Sequence, residues 1–224
     1  MGRALGRRAA AEGLGTGLLL AVVVGSGVMA ARLSPENMGV ALLANAVATG
    51  AGLCVLAAIL GPVSGGHFNP LVTAVAVGTG RLPRADGGVY AVAQLAGGVA
   101  GVWLAHAMFG LAIVQVSAHA RDGAGQWISE VVATAGLLLT VEGAARHRPQ
   151  QAPLLVMGWV VAAYWFTAST AFANPAVTVA RAWTDTFAGI RPADVPGFVG
   201  AQGVGAAVGW ALARFLNTEP QEGP

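Results

Sequence analysis

Charge is what this sequence has least of. Only 10% of the residues are Asp, Glu, Lys or Arg, and lysine is absent, so all twelve basic residues are arginine. A soluble protein of this size would expose more charge. The formal net charge of +2 and the pI near 9.3 do not indicate nucleic acid, because the arginines are scattered through short connections instead of forming a stripe. The single cysteine, Cys54, excludes an internal disulfide; it sits in an apolar run and reads as core packing, with a reactive pore thiol as the alternative. His67, His106, His119 and His147 show no metal-ligand spacing, so neither a metal nor a cofactor is expected. There is no Gly-x-Ser-x-Gly elbow, no phosphate loop and no His/Asp/Ser grouping outside loops, hence no catalytic residue and no enzyme.

Apolar length is what the chain has in abundance. Hydrophobic residues make up 55% of it, and the mean hydropathy is +0.66. Six runs are long enough for a bilayer core, about 11–31, 38–61, 86–109, 127–144, 153–171 and 196–217, each rich in Gly and Ala as expected where helices approach closely in lipid. The start carries Arg3, Arg7 and Arg8 but no evident cleavable signal, and the run that follows is long enough to remain as a first transmembrane helix. The polar tail, 218–224, reads as disordered. The expected fold is an all-α membrane protein.

Two stretches interrupt this pattern, and they match. Ser64-Gly65-Gly66-His67-Phe68-Asn69-Pro70-Leu71-Val72-Thr73 returns as Ser169-Thr170-Ala171-Phe172-Ala173-Asn174-Pro175-Ala176-Val177-Thr178, with Ser, Asn, Pro, Val and Thr at equal offsets. Asn can cap a helix, and Pro at its first position gives up only a donor that would have gone unpaired. Each copy therefore starts a short helix, about 69–79 and 174–185, too short to span. Glu12 and Thr16 are answered by Glu130 and Thr134, and Gln94, Gly97 and Gly101 by Gln202, Gly205 and Gly209. The chain is one channel-like domain of two related halves, about 1–110 and 125–217. Three spans per half is an odd number, so the halves insert with opposite orientation. With both termini cytoplasmic, eight arginines (3, 7, 8, 81, 84, 146, 148 and 214) lie on the inner side against four (32, 121, 181 and 191) outside.

Short helices entering from opposite faces bring their N-termini together near the midplane. There Asn69 and Asn174 cap locally and still present side-chain N–H donors, while the facing positive dipole ends disfavour cations. That chemistry suits a pore for neutral, hydrogen-bonding molecules.

The paired Asn-Pro motifs, the Ser-Gly-x-His-x-Asn-Pro leader, the Glu-x-x-x-Thr openings and the two Gln positions resemble the aquaporin and aquaglyceroporin family of major intrinsic proteins, over nearly the whole chain. The resemblance implies six spans with two half-helices, a pore in each protomer, and a homotetramer in the plasma membrane. The chain departs from that family in two places. The first Asn-Pro-Ala triplet is Asn69-Pro70-Leu71, which adds bulk beside the midplane constriction, although Asn174-Pro175-Ala176 is intact. Val177 stands where water and glycerol channels usually carry the filter Arg. Counting by family offsets, the remaining filter positions fall on Thr49, Ala171 and either Ala162 or, with a gap, Trp165. Such a filter is wide and apolar, and suits polyols, urea-like amides and undissociated metalloid acids such as arsenite or its methylated forms, with water also passing.

Several residues carry two readings. Glu12 and Glu130 brace half-helix N–H groups, as the matching family residues do, or couple protons. His67 is a satisfied wall residue or a pH gate, and Gln94 and Gln202 support the half-helices. Arg181, a turn beyond Val177, contacts backbone carbonyls or headgroups at the helix end, or reaches back toward the mouth. A coupled secondary transporter is the rival function, since transporters also use inverted repeats and broken helices; a purely structural membrane protein, its pore closed by Leu71 and Phe68, is the third.

Overall fold

The computed structural model describes residues 3–217, and the expected disordered tail lies outside the described residues. Among them every regular element is helical. The first half comprises α1 (Arg3–Leu33), α2 (Met38–Ser64), the short α3 (Pro70–Gly78) and α4 (Arg84–Met108); the second comprises α5 (Ala124–His147), α6 (Ala152–Phe166), the short α7 (Pro175–Arg181) and α8 (Val195–Leu216). Five of these, α1, α2, α4, α5 and α8, are long and apolar enough to cross a bilayer.

Three boundaries differ from the expectation for physical reasons. The first helix starts near residue 3 instead of 11, because Arg8 gives its polar opening turns a partner: Nε donates to the Tyr90 hydroxyl at 2.8 Å and a terminal nitrogen to Asp86 at 3.1 Å, both on α4. The fifth expected span, 153–171, shrinks to a helix of 15 residues, about 22 Å of rise. A 3-10 turn over Pro149–Gln151 extends it at its start. It stops at Phe166 because the chain beyond is drawn out along Glu130, with Thr167 extended and Thr170, Ala171 and Ala173 left-handed. The second short helix ends at Arg181 instead of near 185, since the Arg181 guanidinium and carbonyl hold Ala188 and Ile190 and fold the following loop back.

The halves are built from corresponding contacts. α1 packs mainly on α4 and α2, as α5 packs on α8 and α6; α7 lies against α4, as α3 lies against α8. The two principal crossings depend on glycine. A Cβ on Gly97 or Gly101 would sit 2.0 or 1.9 Å from the carbonyl oxygens of Gly13 and Gly17, and one on Gly205 or Gly209 would sit 2.4 or 2.2 Å from those of Val131 and Ala135. No other residue type allows the backbones so close.

Polarity is inverted relative to a soluble fold. Glu12, Thr16, Gln94, Glu130, Thr134 and Gln202 are all fully buried, while Val92 and Ile128 on the outer faces are 68% and 63% exposed. An apolar exterior around a polar interior is what a bilayer solvates.

Gly101→Ala and Gly209→Ala are therefore expected to lower the melting temperature of the detergent-solubilised protein by several degrees, the consequence of about 1–3 kcal/mol of overpacking. Gly203→Ala, whose new methyl would meet nothing within 4 Å, should leave it unchanged. Equal melting temperatures for all three variants would contradict this packing.

Candidate functional site

The site is assembled from the residue before each short helix. Asn69 and Asn174 share an extended backbone (φ −151° and −159°), and each caps its own helix, with Oδ1 accepting from Leu71 N at 2.9 Å and from Ala176 N at 2.9 Å. The amide nitrogens cross over. Asn69 Nδ2 donates to the Ala173 carbonyl and Asn174 Nδ2 to the Phe68 carbonyl, each at 2.8 Å. The half-helices are thus tied tip to tip by reciprocal bonds, which leaves one N–H of each amide free to face a solute. Pro70 and Pro175 occupy the first helical positions.

Behind each tip lies a fully buried carboxylate. Glu12 Oε1 accepts from the Ser64 hydroxyl (2.6 Å) and His67 N (3.0 Å), and Oε2 from Phe68 N (2.7 Å) and Gln94 Nε2 (2.8 Å). Glu130 repeats this with Phe172 N (2.9 Å), Ala173 N (2.9 Å) and Gln202 Nε2 (2.6 Å). Gln94 also donates to Thr73 and Gln202 to Thr178, at 3.0 and 2.8 Å. These bonds hold Phe68 and Ala173 at φ 46° and 48°, a left-handed conformation that costs a non-glycine residue about 1–3 kcal/mol. In a bilayer, a non-helical segment must line water or be buried in protein.

It lines a cavity. A volume of about 670 Å³ runs between the halves, from Arg81, Glu142 and Gln150 at one end, past His67, Asn69 and Asn174, to Phe172 and Arg181 at the other. Arg81 and Glu142 are ion-paired, which fastens the loop after α3 to α5. His67 stands in the wall, its Nδ1 3.0 Å from Thr73 Oγ1 and its ring edge-on to Tyr90.

The filter positions expected from sequence divide into two groups. Thr49, Ala171 and Val177 line the cavity, and each is less than a tenth exposed. Neither candidate on the fifth span does. Trp165 points outward and is 50% exposed, and Ala162 faces a separate groove between α5 and α6. The residues between them, Ala163 and Tyr164, take that wall, and the Tyr164 hydroxyl lies 3.4 Å from Thr49 Oγ1. The cavity lining on α6 falls between the two offset counts, one residue from each. The helical stripe Val156, Val160, Ala163 and Tyr164 was the available signal. Leu71 also departs from expectation. Its side chain packs beside the cluster of Leu137, Leu138 and Ala206, and the cavity wall is formed by Val72 instead. Ala176, its counterpart, is fully buried beside Gly98 of α4.

Sequence reasoning weighed Arg181 by itself, against backbone carbonyls or toward the mouth, and missed the group it forms with Phe172 and Arg121. Arg181 is 2% exposed, with its guanidinium carbon 3.4 Å from the Phe172 ring centroid and its Nε donating to the Ala188 carbonyl. Arg121, from the connection between the halves, lies 5.0 Å from the same ring and donates to the Gly189 carbonyl at 2.8 Å. Burial holds Arg121 below its ordinary range. Burial, reinforced by the two arginines, also lowers His119, which leaves it neutral at physiological pH. Phe172 contributed to the repeated motif, but its role as a platform for arginines 9 and 51 residues away in sequence was not legible there.

Comparison with known proteins gives the following. The profile of the family described as Major intrinsic protein matches residues 3–169. The chain is 53% identical over 212 residues to the aquaglyceroporin AqpS of Rhizobium meliloti, covering 95% of this chain and 91% of that protein. It is 38% identical over 113 residues to aquaporin Z of Brucella melitensis, covering 50% and 45%. Among solved structures, the aquaglyceroporin from Plasmodium falciparum superposes with a TM-score of 0.72 over 94% of this chain and 95% of that one; at 18% identity this concerns the fold alone.

Glu12→Gln tests the bracing geometry. Whichever way the new amide turns, at least one backbone N–H of the His67–Phe68 segment faces an amide N–H, a loss of about 1–3 kcal/mol. A clearly lower melting temperature is expected, with Glu130→Gln behaving alike. Full stability of both variants would show that these carboxylates do not hold the half-helices.

Proposed function

The chain belongs to the major intrinsic protein family, a family of membrane channels and not enzymes, and from that premise we propose that it is a passive channel for small neutral solutes with a wide, apolar outer filter. The substrates are polyols of glycerol size, urea-like amides and undissociated metalloid acids including arsenite and its methylated forms, with water also conducted. The observation that carries this reading is the filter wall. Thr49, Tyr164, Ala171 and Val177 offer two hydroxyls and two small or branched apolar surfaces, with no cation at the constriction itself. Asn69 and Asn174 then supply the donors that orient a solute hydroxyl or amide oxygen at the midplane.

The channel unit is one domain of two inverted halves, about 1–110 and 125–217. Its arginines support an inner side bearing both termini, since Arg8 and Arg81 pair with Asp86 and Glu142 at one end, while Arg32, Arg121 and Arg191 find Phe109, Gly189 and Asp194 at the other. The apolar outer faces support packing into a homotetramer in the plasma membrane. The rival reading, a coupled transporter, is disfavoured by Glu12 and Glu130: with their oxygens committed to four and three donors, neither carboxylate is presented to the cavity.

Light scattering from reconstituted vesicles, challenged in turn with water, glycerol, urea and arsenite gradients, tests the proposal. The wild type should conduct the larger solutes, and Val177→Arg should cut glycerol and arsenite flux by about tenfold or more while sparing water. Equal permeability of both forms would remove Val177 from the filter.

A further inference from the structure

A wide filter without a cation leaves open what keeps cations out. We propose that Arg181, seated on Phe172 and backed by Arg121, is the electrostatic barrier of this channel, displaced one helical turn outward from the constriction. The inference rests on the proposed channel function and adds to it a residue that determines specificity.

Three observations support it. First, Val177 and Arg181 are four residues apart on α7, so they share a face and are separated by about 6 Å along the axis. A solute meeting Val177 also passes Arg181, and both side chains line the same cavity. Second, the charge is held rigidly but not consumed. Phe172 supports the guanidinium face and the Ala188 carbonyl takes Nε, while the two terminal amino groups have no hydrogen-bond partner among the described residues. Third, nothing neutralises it. Neither Arg181 nor Arg121 has an ion pair among the described residues. The acid whose charge reaches both is Glu130, and its oxygens are committed to Phe172 N, Ala173 N and Gln202. Asp194 accepts from Arg191 and from the Arg121 backbone, and Asp185 from Ala118 N.

The consequence is a division of labour. Size is set at Thr49, Tyr164, Ala171 and Val177; charge is set one turn further out, where the guanidinium does not narrow the constriction. Bulky neutral solutes pass a point that repels sodium, potassium and hydronium.

Proteoliposomes carrying wild type, Arg181→Ala, Arg181→Gln and Arg181→Lys are assayed in parallel for glycerol flux by light scattering and for sodium and potassium conductance. Glycerol flux serves as the folding control. The neutral variants should keep glycerol flux within about twofold and raise cation conductance by about tenfold or more, while Arg181→Lys should stay tight. Adding Val177→Arg to Arg181→Gln should restore cation exclusion and at the same time restrict glycerol. Variants that conduct glycerol normally yet remain impermeable to cations would overturn the proposal, as would a leak in Arg181→Lys equal to that of Arg181→Gln. If Arg181→Ala loses glycerol flux by misfolding, Arg181→Gln decides, since it retains a donor toward the Ala188 carbonyl. Failure of the channel reading itself is separate, because it would appear as absent glycerol flux in the wild type.

Discussion

Two buried carboxylates organise this molecule. A segment that breaks a transmembrane helix and crosses half the bilayer exposes backbone N–H groups that lipid cannot satisfy. Glu12 takes those of His67 and Phe68, and Glu130 takes those of Phe172 and Ala173. Because the donors are consecutive residues, the chain must turn left-handed at Phe68 and Ala173 to present both. That turn sets the Phe68 and Ala173 carbonyls toward the opposite asparagine and fixes Asn69 and Asn174 at the start of their helices. The carboxylate, the turn and the cap form one unit, used twice.

The glycine crossings serve the same end. Glu12 lies on α1 and Gln94 on α4, and both reach the first tip only because Gly13 and Gly17 meet Gly97 and Gly101 backbone to backbone. The second half solves the problem with Val131 and Ala135 against Gly205 and Gly209. Once the tips are placed, the reciprocal amide bonds between Asn69 and Ala173 and between Asn174 and Phe68 lock the halves to each other. The cavity is what remains between them, and its chemistry is decided by the few side chains that enter it.

The fold was largely legible from sequence because its constraints are local and repeated. Asn-Pro at a helix start, an acid inside an apolar run and glycines at fixed spacing each have a physical meaning that needs no neighbour to interpret. The cavity wall was legible only where position follows from the same local geometry. Thr49, Ala171 and Val177 sit at fixed distances from the tips, whereas the α6 wall depends on where that helix ends, and no residue marks Phe166 as the end. It is set by Glu130, 36 positions earlier. The association of Arg121 and Arg181 around Phe172 was unreadable for a related reason: the stacking joins the mid-chain connection to the end of the second half-helix, a tertiary contact with no sequence period.

The central claim is that solute moves through this protein passively, past tips held by carboxylates whose oxygens are taken up by backbone and side-chain donors. Glycerol influx into proteoliposomes, measured over a wide range of gradients with and without an imposed proton gradient, tests it most directly. The rate should rise in proportion to the glycerol gradient and be indifferent to the proton gradient. Saturable uptake driven by protons would contradict it.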